Sequence, residues 1–335
     1  MVGIALLGAG NFARAEHLPA IEAASNLNLL AIYSRSQSSA GGLAGQAKSK
    51  PDVYYDSPSE SGKSLDELLA RKDIEAVVVV LPINNQPEVV KRCIAAGKHV
   101  LSEKPVARDV ATAKELLAWY RSQSSPPIWA VAENFRYTES LVKAQEAVKQ
   151  LGGKVLCFAL RRYGFVKEED KSFNTEWRKV PGYQGGFLLD GGVHFAAGLR
   201  FLLGAAGEEV NQVVSFIDLL VARLGPHDTV HAVASTKSGA KGTITISFGT
   251  EHKRGLEIEI VTTNGTVSWN PEEVNVTGRS QKYAYSSGVT AEVAAFGKSL
   301  ESKTTHPLQT PEEAFTDLQL VEGLLQSNGQ AKVVV

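Results

Sequence analysis

The stretch Val2-Gly3-Ile4-Ala5-Leu6-Leu7-Gly8-Ala9-Gly10-Asn11-Phe12-Ala13 opens the chain. Its first half is apolar and predicts a buried strand, and its second half is a Gly-x-Gly-x-x-Ala turn that leads into a helix. Glycines allow the tight turn and the close approach of a pyrophosphate, and the N–H groups of the helix N-terminus attract that anion. The stretch therefore predicts dinucleotide binding, with cofactor contacts at Gly8, Gly10, Asn11, Phe12 and Ala13.

Short apolar runs alternate with amphipathic stretches as far as about residue 134. The runs lie at 2–8, 27–34, 76–81, 99–101 and 128–132, with a weaker one at 52–55, and the helical candidates lie near 12–24, 64–72, 85–96 and 109–122. Residues 77–81 are Val-Val-Val-Val-Leu, which is typical of a strand covered on both faces. This order predicts an α/β domain with a doubly wound parallel sheet, the Rossmann arrangement.

The pattern changes to period-2 strands from about residue 154, as in Leu256-Glu257-Ile258-Glu259-Ile260. Asn264-Gly265 is a favoured hairpin dipeptide, and Thr310 is a plausible N-cap for a helix at 311–326. We therefore expect a second, α+β domain with a large, mostly antiparallel sheet, and domain bounds of 1–130 and 131–335. A sheet with one polar, open face commonly pairs with another copy, so we expect a homo-oligomer, a dimer or tetramer, formed through this sheet.

Composition excludes several classes of partner. The 335 residues carry 35 Lys and Arg against 36 Asp and Glu, so no strong basic field exists to attract nucleic acid or an anionic membrane. Cys93 and Cys157 lie in no CxxC and near no spaced histidine cluster, which argues against a metal site or a disulfide framework. A reducing, cytoplasmic location fits, because the apolar N-terminus has no charged leader region and is too short to span a bilayer.

The end of the second predicted strand, Ser34-Arg35-Ser36, bears on the choice of cofactor. An NAD site usually has Asp or Glu here to bind the ribose 2′-hydroxyl, and no acid is present. Arg35 between two serines can instead bind a 2′-phosphate through charge-assisted hydrogen bonds. We therefore expect NADP rather than NAD, the alternative being an exposed arginine in a loop.

Two further segments carry polar residues that suit chemistry on a small substrate. Glu103-Lys104-Pro105 ends a strand at the edge where doubly wound folds bind ligands. Lys104 can donate to a substrate oxygen there, or can simply be a solvated lysine.

The segment Gly185-Gly186-Phe187-Leu188-Leu189-Asp190-Gly191-Gly192-Val193-His194 reads as helical. Asp190 and His194, at i and i+4, would share a face and could orient one another. Each glycine inside a helix lowers the stability of that helix by roughly 1 kcal/mol relative to alanine. We therefore expect something flat, or another backbone, to approach this helix closely. The alternative is a surface Asp/His pair on a weakened helix.

Together these motifs resemble the glucose–fructose oxidoreductase / myo-inositol dehydrogenase (Gfo/Idh/MocA) family, over nearly the whole chain. The resemblance rests on the glycine motif, on GKHVLSEKP at 97–105 and on GGFLLDGGVH at 185–194, in this order and spacing. Residues 131–137 and 175–178 look most like the family's fungal NADP-dependent branch.

The resemblance implies a Rossmann domain followed by a mostly antiparallel domain, with the active site between them. It implies a catalytic group of Lys104, Asp190 and His194, and a cis Lys104–Pro105 peptide. Cofactor contacts are further expected at Ser34, Arg35, Ser36, Leu81, Pro82, Asn84, Gln86, Glu103, Lys104, Asn134, Trp177 and Arg178, and substrate contacts at Tyr137, Tyr163, Asp190 and His194. Trp177 could equally be core. Many members have Pro-Asn-x-x-His, whereas this chain has Ile83 and Gln86 after Pro82.

The expected activity is hydride transfer between the nicotinamide of NADP and a sugar, polyol or related carbonyl compound or alcohol. Histidine suits the accompanying proton movement because it exchanges protons near neutral pH. Lys104 would stabilise developing negative charge, and Asp190 would orient His194 or the substrate. Two alternatives stay open: a non-catalytic NADP-binding sensor or regulator of the same fold, and a lyase or glycosidase that borrows hydride chemistry transiently.

Overall fold

The computed structural model describes residues 1–57, 62–171 and 173–334. The chain forms two units, the first from Met1–Glu133 with Val289–Ala314 and the second from Asn134–Gly288 with Phe315–Val335. The expected division at residue 130 is contiguous along the chain, whereas the observed units are not. Residues 289–314 group with the first unit because Val289, Val293 and Phe296 join its hydrophobic core.

Six parallel strands form the sheet of unit 1, in the order β3-β2-β1-β4-β5-β6. They are β1 (Val2–Leu7), β2 (Leu27–Ser34), β3 (Asp52–Tyr55), β4 (Ala76–Val79), β5 (His99–Glu103) and β6 (Trp129–Ala132). The helices of the first 133 residues are α1 (Leu18–Ala23), α2 (Gln37–Ala44), α3 (Leu65–Leu69), α4 (Gln86–Ala95) and α5 (Val110–Arg121), with a π-helical turn at Ala13–His17 before α1. The predicted doubly wound sheet is confirmed.

Burial explains why the central strands are so apolar. All four residues of β4 are buried, as expected for a strand with helices on both faces of its sheet. Side chains fix the starts of two neighbouring helices: the Thr112 N–H donates to Asp109 (2.7 Å), and Ser64 forms a capping box with Glu67.

Nine strands form the sheet of unit 2 within the described residues, in the order β14-β13-β12-β11-β7-β10-β9-β8-β15. They are β7 (Val155–Tyr163), β8 (Val210–Asp218), β9 (Thr229–Thr236), β10 (Lys241–Ser247), β11 (Gly255–Thr262), β12 (Gly265–Asn270), β13 (Glu273–Val276), β14 (Arg279–Lys282) and β15 (Lys332–Val333). Only the β7–β10 pair is parallel among these strands, so the predicted mostly antiparallel sheet is confirmed.

The remaining helices are α6 (Glu139–Leu151), α7 (Glu176–Lys179), α8 (Phe187–Asp190), α9 (Gly192–Ala205), α10 (Val289–Ser302) and α11 (Pro311–Gln326). Short 3-10 turns occur at Asn134–Tyr137, Ala222–Leu224 and Pro307–Gln309. Helix α11 begins at Pro311 as predicted, and the Glu313 N–H donates to Thr310 Oγ1 (3.3 Å), which confirms the expected N-cap.

Strand alternation gives the sheet of unit 2 two different faces. Leu160, Ile244 and Ile258 are aligned across β7, β10 and β11 and are buried on one face. Helices α6 and α9 pack on this covered face. The neighbouring residues of each strand point the other way, and Phe216 and Val233 are exposed there.

One helix, Phe187–Ala205, is long and apolar enough to cross a membrane by length and composition alone. Its 18-residue apolar stretch has a mean hydropathy of 1.2, and 72% of that stretch is buried inside the protein. A helix covered on most sides by protein is expected to be apolar all round, so its composition follows from its place in the core.

Cys93 is buried and Cys157 is exposed, and both are free thiols. In the part of the chain that the structure describes, no group of three or more His, Cys, Asp and Glu side chains could hold a metal ion.

Candidate functional site

The carboxyl-terminal edge of the sheet in unit 1 collects the predicted residues of the first half of the chain. Because the six strands are parallel, the segments that follow β1, β2, β4 and β5 all leave from the same edge. The strand order reverses between β1 and β4, which is the switch point where doubly wound sheets bind ligands. The structure therefore brings together the segments 8–13, 34–36, 81–86 and 103–105.

The surroundings of the two glycines in the first turn differ. Gly8 has φ +117°, and a side chain there would collide with the carbonyl oxygen of Val80, so the protein itself requires this glycine. Gly10 has negative φ, and a Cβ there would meet no protein atom within 4 Å. The Arg14 N–H donates to the Gly10 carbonyl (3.1 Å), so the N–H groups of the helix's first turn point out beside this open space. The turn fits a pyrophosphate.

The predicted arginine follows β2, and the structure brings to the end of this strand an acid that the sequence did not indicate. Arg35 is exposed and forms no ion pair or hydrogen bond with the residues described. Ser36 caps α2 by accepting from the Ser39 N–H (3.3 Å). The hydroxyl of Tyr33 donates to Asp56, just beyond β3, at 2.8 and 2.9 Å, and burial together with this carboxylate raises the pKa of Tyr33.

Lys104 follows a glutamate, Glu103, whose buried side chain is hydrogen-bonded to His17. His17, fully buried in the π-helical turn, has its Nε2 2.6 Å from Oε1 of Glu103. The other carboxylate oxygen of Glu103 accepts from the Lys104 backbone N–H (3.2 Å). Glu103, expected as a cofactor contact, therefore joins the π-helical turn to the backbone of Lys104. The Lys104–Pro105 peptide is cis, as the resemblance implies.

The loop after β4 contains an unusual buried amide. Leu81 and Pro82 are half-buried and Asn84 is exposed, whereas Gln86, at the start of α4, is 2% exposed. Neither amide atom of Gln86 has a hydrogen-bond partner in the described part of the chain. A buried unpaired amide costs about 1–3 kcal/mol, so this position is a polar group that a water or ligand could satisfy.

In unit 2, Asp190 lies at the end of α8 and is held by an arginine. The Arg178 Nε donates to Asp190 Oδ2 (2.7 Å), and the guanidinium lies 4.0 Å from the centre of the Trp177 ring. Tyr183 packs against Trp177, and burial, with the charge of Asp190 adding to it, raises the pKa of Tyr183. Trp177, Arg178 and Asp190, predicted separately, therefore form one cluster, to which the structure adds Tyr183.

His194 lies one turn further along, on α9. Its ring stacks on Phe135, with centroids 4.8 Å apart and planes 14° from parallel. Phe135 belongs to the 3-10 turn Asn134–Tyr137, which also contains Tyr137. The amide of Asn134 in the same turn donates to the Ser287 carbonyl (2.6 Å), so part of this predicted cofactor contact is used within unit 2.

The glycines between Asp190 and His194 have a reason in the protein's own packing. A Cβ on Gly191 would lie 2.7 Å from the ring of Phe248, which follows β10. The expected flat group is thus a phenylalanine of the sheet. Because α8 and α9 approach the sheet closely here, the positions of Asp190 and His194 are set by sheet packing.

Strand alternation separates Tyr163 from this helix. Leu160 and Arg162 share the covered face of β7, on which α9 packs, whereas Arg161 and Tyr163 point to the opposite face. The structure therefore does not bring Tyr163, a predicted substrate contact, to the face that carries His194. The neighbouring Arg162 lies on that face, with its guanidinium 5.5 Å from the ring centres of Phe195 and Phe248.

A buried carboxylate fixes the elements around His194. Asp317 of α11 accepts from Arg136 Nη2 at 2.7 Å through each oxygen, and also binds Arg200 of α9. Arg136 and Asp317 are 2% and 1% exposed. Asp317 thereby joins the turn that carries Phe135 to the helix that carries His194.

Sequence reasoning missed His17, Asp56, Phe135, Tyr183, Arg162 and Asp317. The period-2 geometry of a strand, counted from the apolar Phe158 and Leu160, was available as a signal for Arg162. The others depend on contacts between residues far apart in the chain, such as Arg136 with Asp317, for which the sequence carries no local pattern.

Comparisons with known proteins agree with both halves of the structure. Residues 2–128 match the model of an oxidoreductase family with an NAD-binding Rossmann fold, and residues 143–268 match the Gfo/Idh/MocA C-terminal domain. A dehydrogenase of Fusarium mangiferae is 51% identical, over 100% of this chain and 99% of its own.

Solved structures show the same fold. The crystal structure of an oxidoreductase from Thermotoga maritima has a TM-score of 0.89 at 28% identity, covering 99% of this chain and 98% of its own. A 3-ketoreductase from Actinomadura kijaniata, in complex with NADP and TDP-benzene, has a TM-score of 0.76 at 22% identity, covering 96% of each chain. At that identity the likeness concerns the fold alone.

The buried Asp317 gives a stability prediction. We expect Asp317→Asn to lower the free energy of unfolding by about 3–5 kcal/mol, because it removes the carboxylate that the guanidinium groups of Arg136 and Arg200 share. Urea unfolding followed by tryptophan fluorescence measures this loss. The control is Glu312→Gln, which breaks the exposed pair with Arg121 and should cost about 0–1 kcal/mol. Equal losses in the two variants would contradict the role given to Asp317.

Proposed function

Because the chain belongs to the Gfo/Idh/MocA family of oxidoreductases, we propose that it is an NADP-dependent enzyme with Lys104, Asp190 and His194 as its catalytic group. It transfers a hydride between the nicotinamide and a sugar, polyol or related carbonyl compound or alcohol. The observation that carries this proposal is the turn at 8–13, where Gly10 leaves room that the protein does not fill. The 3-ketoreductase of the same fold, whose complex contains NADP, shows that this fold can hold that cofactor.

The residues at the edge of the sheet in unit 1 fit a phosphorylated dinucleotide. The N–H groups of the first turn would hold the pyrophosphate, and Arg35 would pair with a 2′-phosphate. When bound, the nicotinamide cofactor gives or takes the hydride, which is chemistry that no side chain supplies.

The protein's own residues supply positioning and proton transfer. His194, half-buried with its ring plane fixed by Phe135, exchanges a proton with the substrate oxygen. Asp190, held by Arg178, orients the substrate or the imidazole. Lys104, whose backbone N–H donates to Glu103, would donate a hydrogen bond to a substrate oxygen and stabilise negative charge there.

We also propose a homo-oligomer, a dimer or tetramer, formed through the open face of the sheet in unit 2. This face carries exposed apolar side chains, Phe216 (65%) and Val233 (55%). Exposed apolar side chains suit a surface that meets a copy of itself. A cytoplasmic location stays a prediction from the sequence.

The catalytic roles can be tested by turnover and binding measured separately. A screen at 340 nm, with NADPH plus aldehydes and ketones and with NADP⁺ plus sugars and polyols, gives the best substrate. We expect Lys104→Ala and His194→Ala each to lower kcat at least about 100-fold, the usual size of a lost acid–base or electrostatic contribution. NADPH binding, followed by protein fluorescence, should persist.

Exposed residues of the same types provide the controls, Lys114→Ala and His252→Ala, which should keep full activity. Near-normal turnover in both catalytic variants would refute the assigned roles. NADPH binding without turnover of any compound would favour the sensor alternative.

The cofactor preference depends on Arg35. We expect Arg35→Ala to raise the KM for NADPH about 10- to 100-fold and to leave the KM for NADH unchanged, because one charge-assisted hydrogen-bond partner of the 2′-phosphate is lost. Asp56→Asn should strengthen the preference for NADPH over NADH, since it removes a carboxylate held beside the end of β2. Arg121→Ala removes an equal charge from an exposed site in unit 1 and is the control. Unchanged NADPH preference in Arg35→Ala would rule out the assignment.

The oligomer can be tested by light scattering of the purified protein. We expect Phe216→Asp combined with Val233→Asp to yield monomers, because each places an unpaired charge in the proposed interface. Tyr285→Asp changes a residue that is more exposed (73%) than either but lies outside the strands, and should leave the assembly intact. A wild-type monomer would contradict the proposal.

A further inference from the structure

We propose that Arg162 forms an oxyanion-binding subsite on unit 2, which takes a carboxylate or phosphate group of the substrate. The inference rests on the proposed function in one respect only, namely that the bound molecule is a substrate. It narrows the substrate class to sugars, polyols or carbonyl compounds that carry an anionic group.

The position of Arg162 is fixed by the register of the sheet. It lies beside Ile246 in the parallel pair of β7 and β10, and the Ile246 side chain lies 3.9 Å from where a Cβ on Gly192 would be. Gly192 stands between Asp190 and His194 in the chain. Arg162 therefore reaches the covered face of the sheet at the same turn of helix that carries the proposed catalytic residues of unit 2.

The guanidinium of Arg162 lies against two aromatic rings. Its central carbon is 5.5 Å from the ring centres of both Phe195 and Phe248. Phe248 is the ring that packs over Gly191, and Phe195 directly follows His194. Two rings attract the cation and restrict its motion, but they use none of its five N–H donors.

No carboxylate neutralises this arginine. Arg162, half-buried, forms no hydrogen bond or ion pair with any of residues 1–57, 62–171 and 173–334. Nearby acids are engaged elsewhere: Glu257 pairs with Arg161 on the opposite face (2.7 Å), and Asp190 pairs with Arg178 (2.7 Å).

The local field is positive as well. Burial lowers the pKa of Arg162, and the charge of Arg254 lowers it further, so the surroundings disfavour an unpaired cation. A partly desolvated guanidinium with free donors and a like-charged neighbour is stabilised by an anion, and its planar fork matches the two oxygens of a carboxylate or phosphate.

The test compares anionic and neutral compounds of similar shape. Turnover is measured with NADPH and either succinic semialdehyde or butanal, and with NADP⁺ and either glucuronate or glucose. Binding is measured separately by calorimetry with succinate, inorganic phosphate and the neutral succinamide, in the presence of saturating NADP⁺. The proteins are the wild type, Arg162→Gln, Arg162→Lys and the control Arg161→Gln, which removes the same charge from the neighbouring residue on the opposite face.

We expect the wild type to prefer the anionic member of each pair. Arg162→Gln should lower kcat/KM for that member about 10- to 100-fold, mainly through KM, and should change the value for the neutral member less than about twofold. Arg162→Lys should restore part of the loss, and Arg161→Gln should behave as the wild type. Stronger binding of succinate than of phosphate would assign the group as a carboxylate, and the reverse would assign a phosphate.

Equal use of anionic and neutral compounds by the wild type, unchanged in Arg162→Gln, would overturn the subsite and leave Arg162 as a cover for two phenylalanines. Loss of anion binding in Arg161→Gln as well would also overturn it, since the effect would then be one of net charge. Anion binding that requires Arg162, without turnover of any compound, would support the subsite while the proposed function fails.

Discussion

The close packing of α8 and α9 on the apolar face of the nine-stranded sheet is the constraint on which the proposed chemistry of unit 2 depends. Gly191 allows the helix to approach until it meets the ring of Phe248, and a larger residue would push the helix away. Asp190 and His194 flank this contact. Their positions relative to Trp177, Phe135 and Arg162 therefore follow from how far the helix lies from the sheet.

Buried charges then hold the neighbouring segments in place. Asp317 joins Arg136 to Arg200 and so links the 3-10 turn under His194 to α9. In unit 1, the buried hydrogen bond between His17 and Glu103 links the π-helical turn to the end of β5, just before Lys104. A buried polar group without a partner destabilises the fold, and a buried charge without one does so by several kcal/mol, so each set specifies one arrangement of its elements more strongly than apolar contacts alone.

The polar side chains of each of these buried sets find partners within the protein, which is why Arg162 stands out. It has the burial and the aromatic neighbours of a structural residue, yet its donors have no acceptor among the described residues. In unit 1, Gly10 is likewise not explained by contacts within the protein, because a Cβ there would meet no protein atom within 4 Å. Both positions fit the molecules that we propose the chain binds.

The sequence by itself determined the fold of both units, because that information is local and periodic. Three short patterns each predict one local structure: the apolar run at 77–81 a buried strand, the alternation at 256–260 a half-buried strand, and the glycines at 8–13 a strand-to-helix turn. It also placed Gly8, Arg35 and Lys104 at one edge, since parallel strands end together. Only the tertiary structure decided that residues 289–314 belong with unit 1, that Arg162 rather than Tyr163 faces α9, and that Asp56 and Asp317 find their partners. Those outcomes depend on contacts between distant segments, whose energies appear only once the backbone has brought them together.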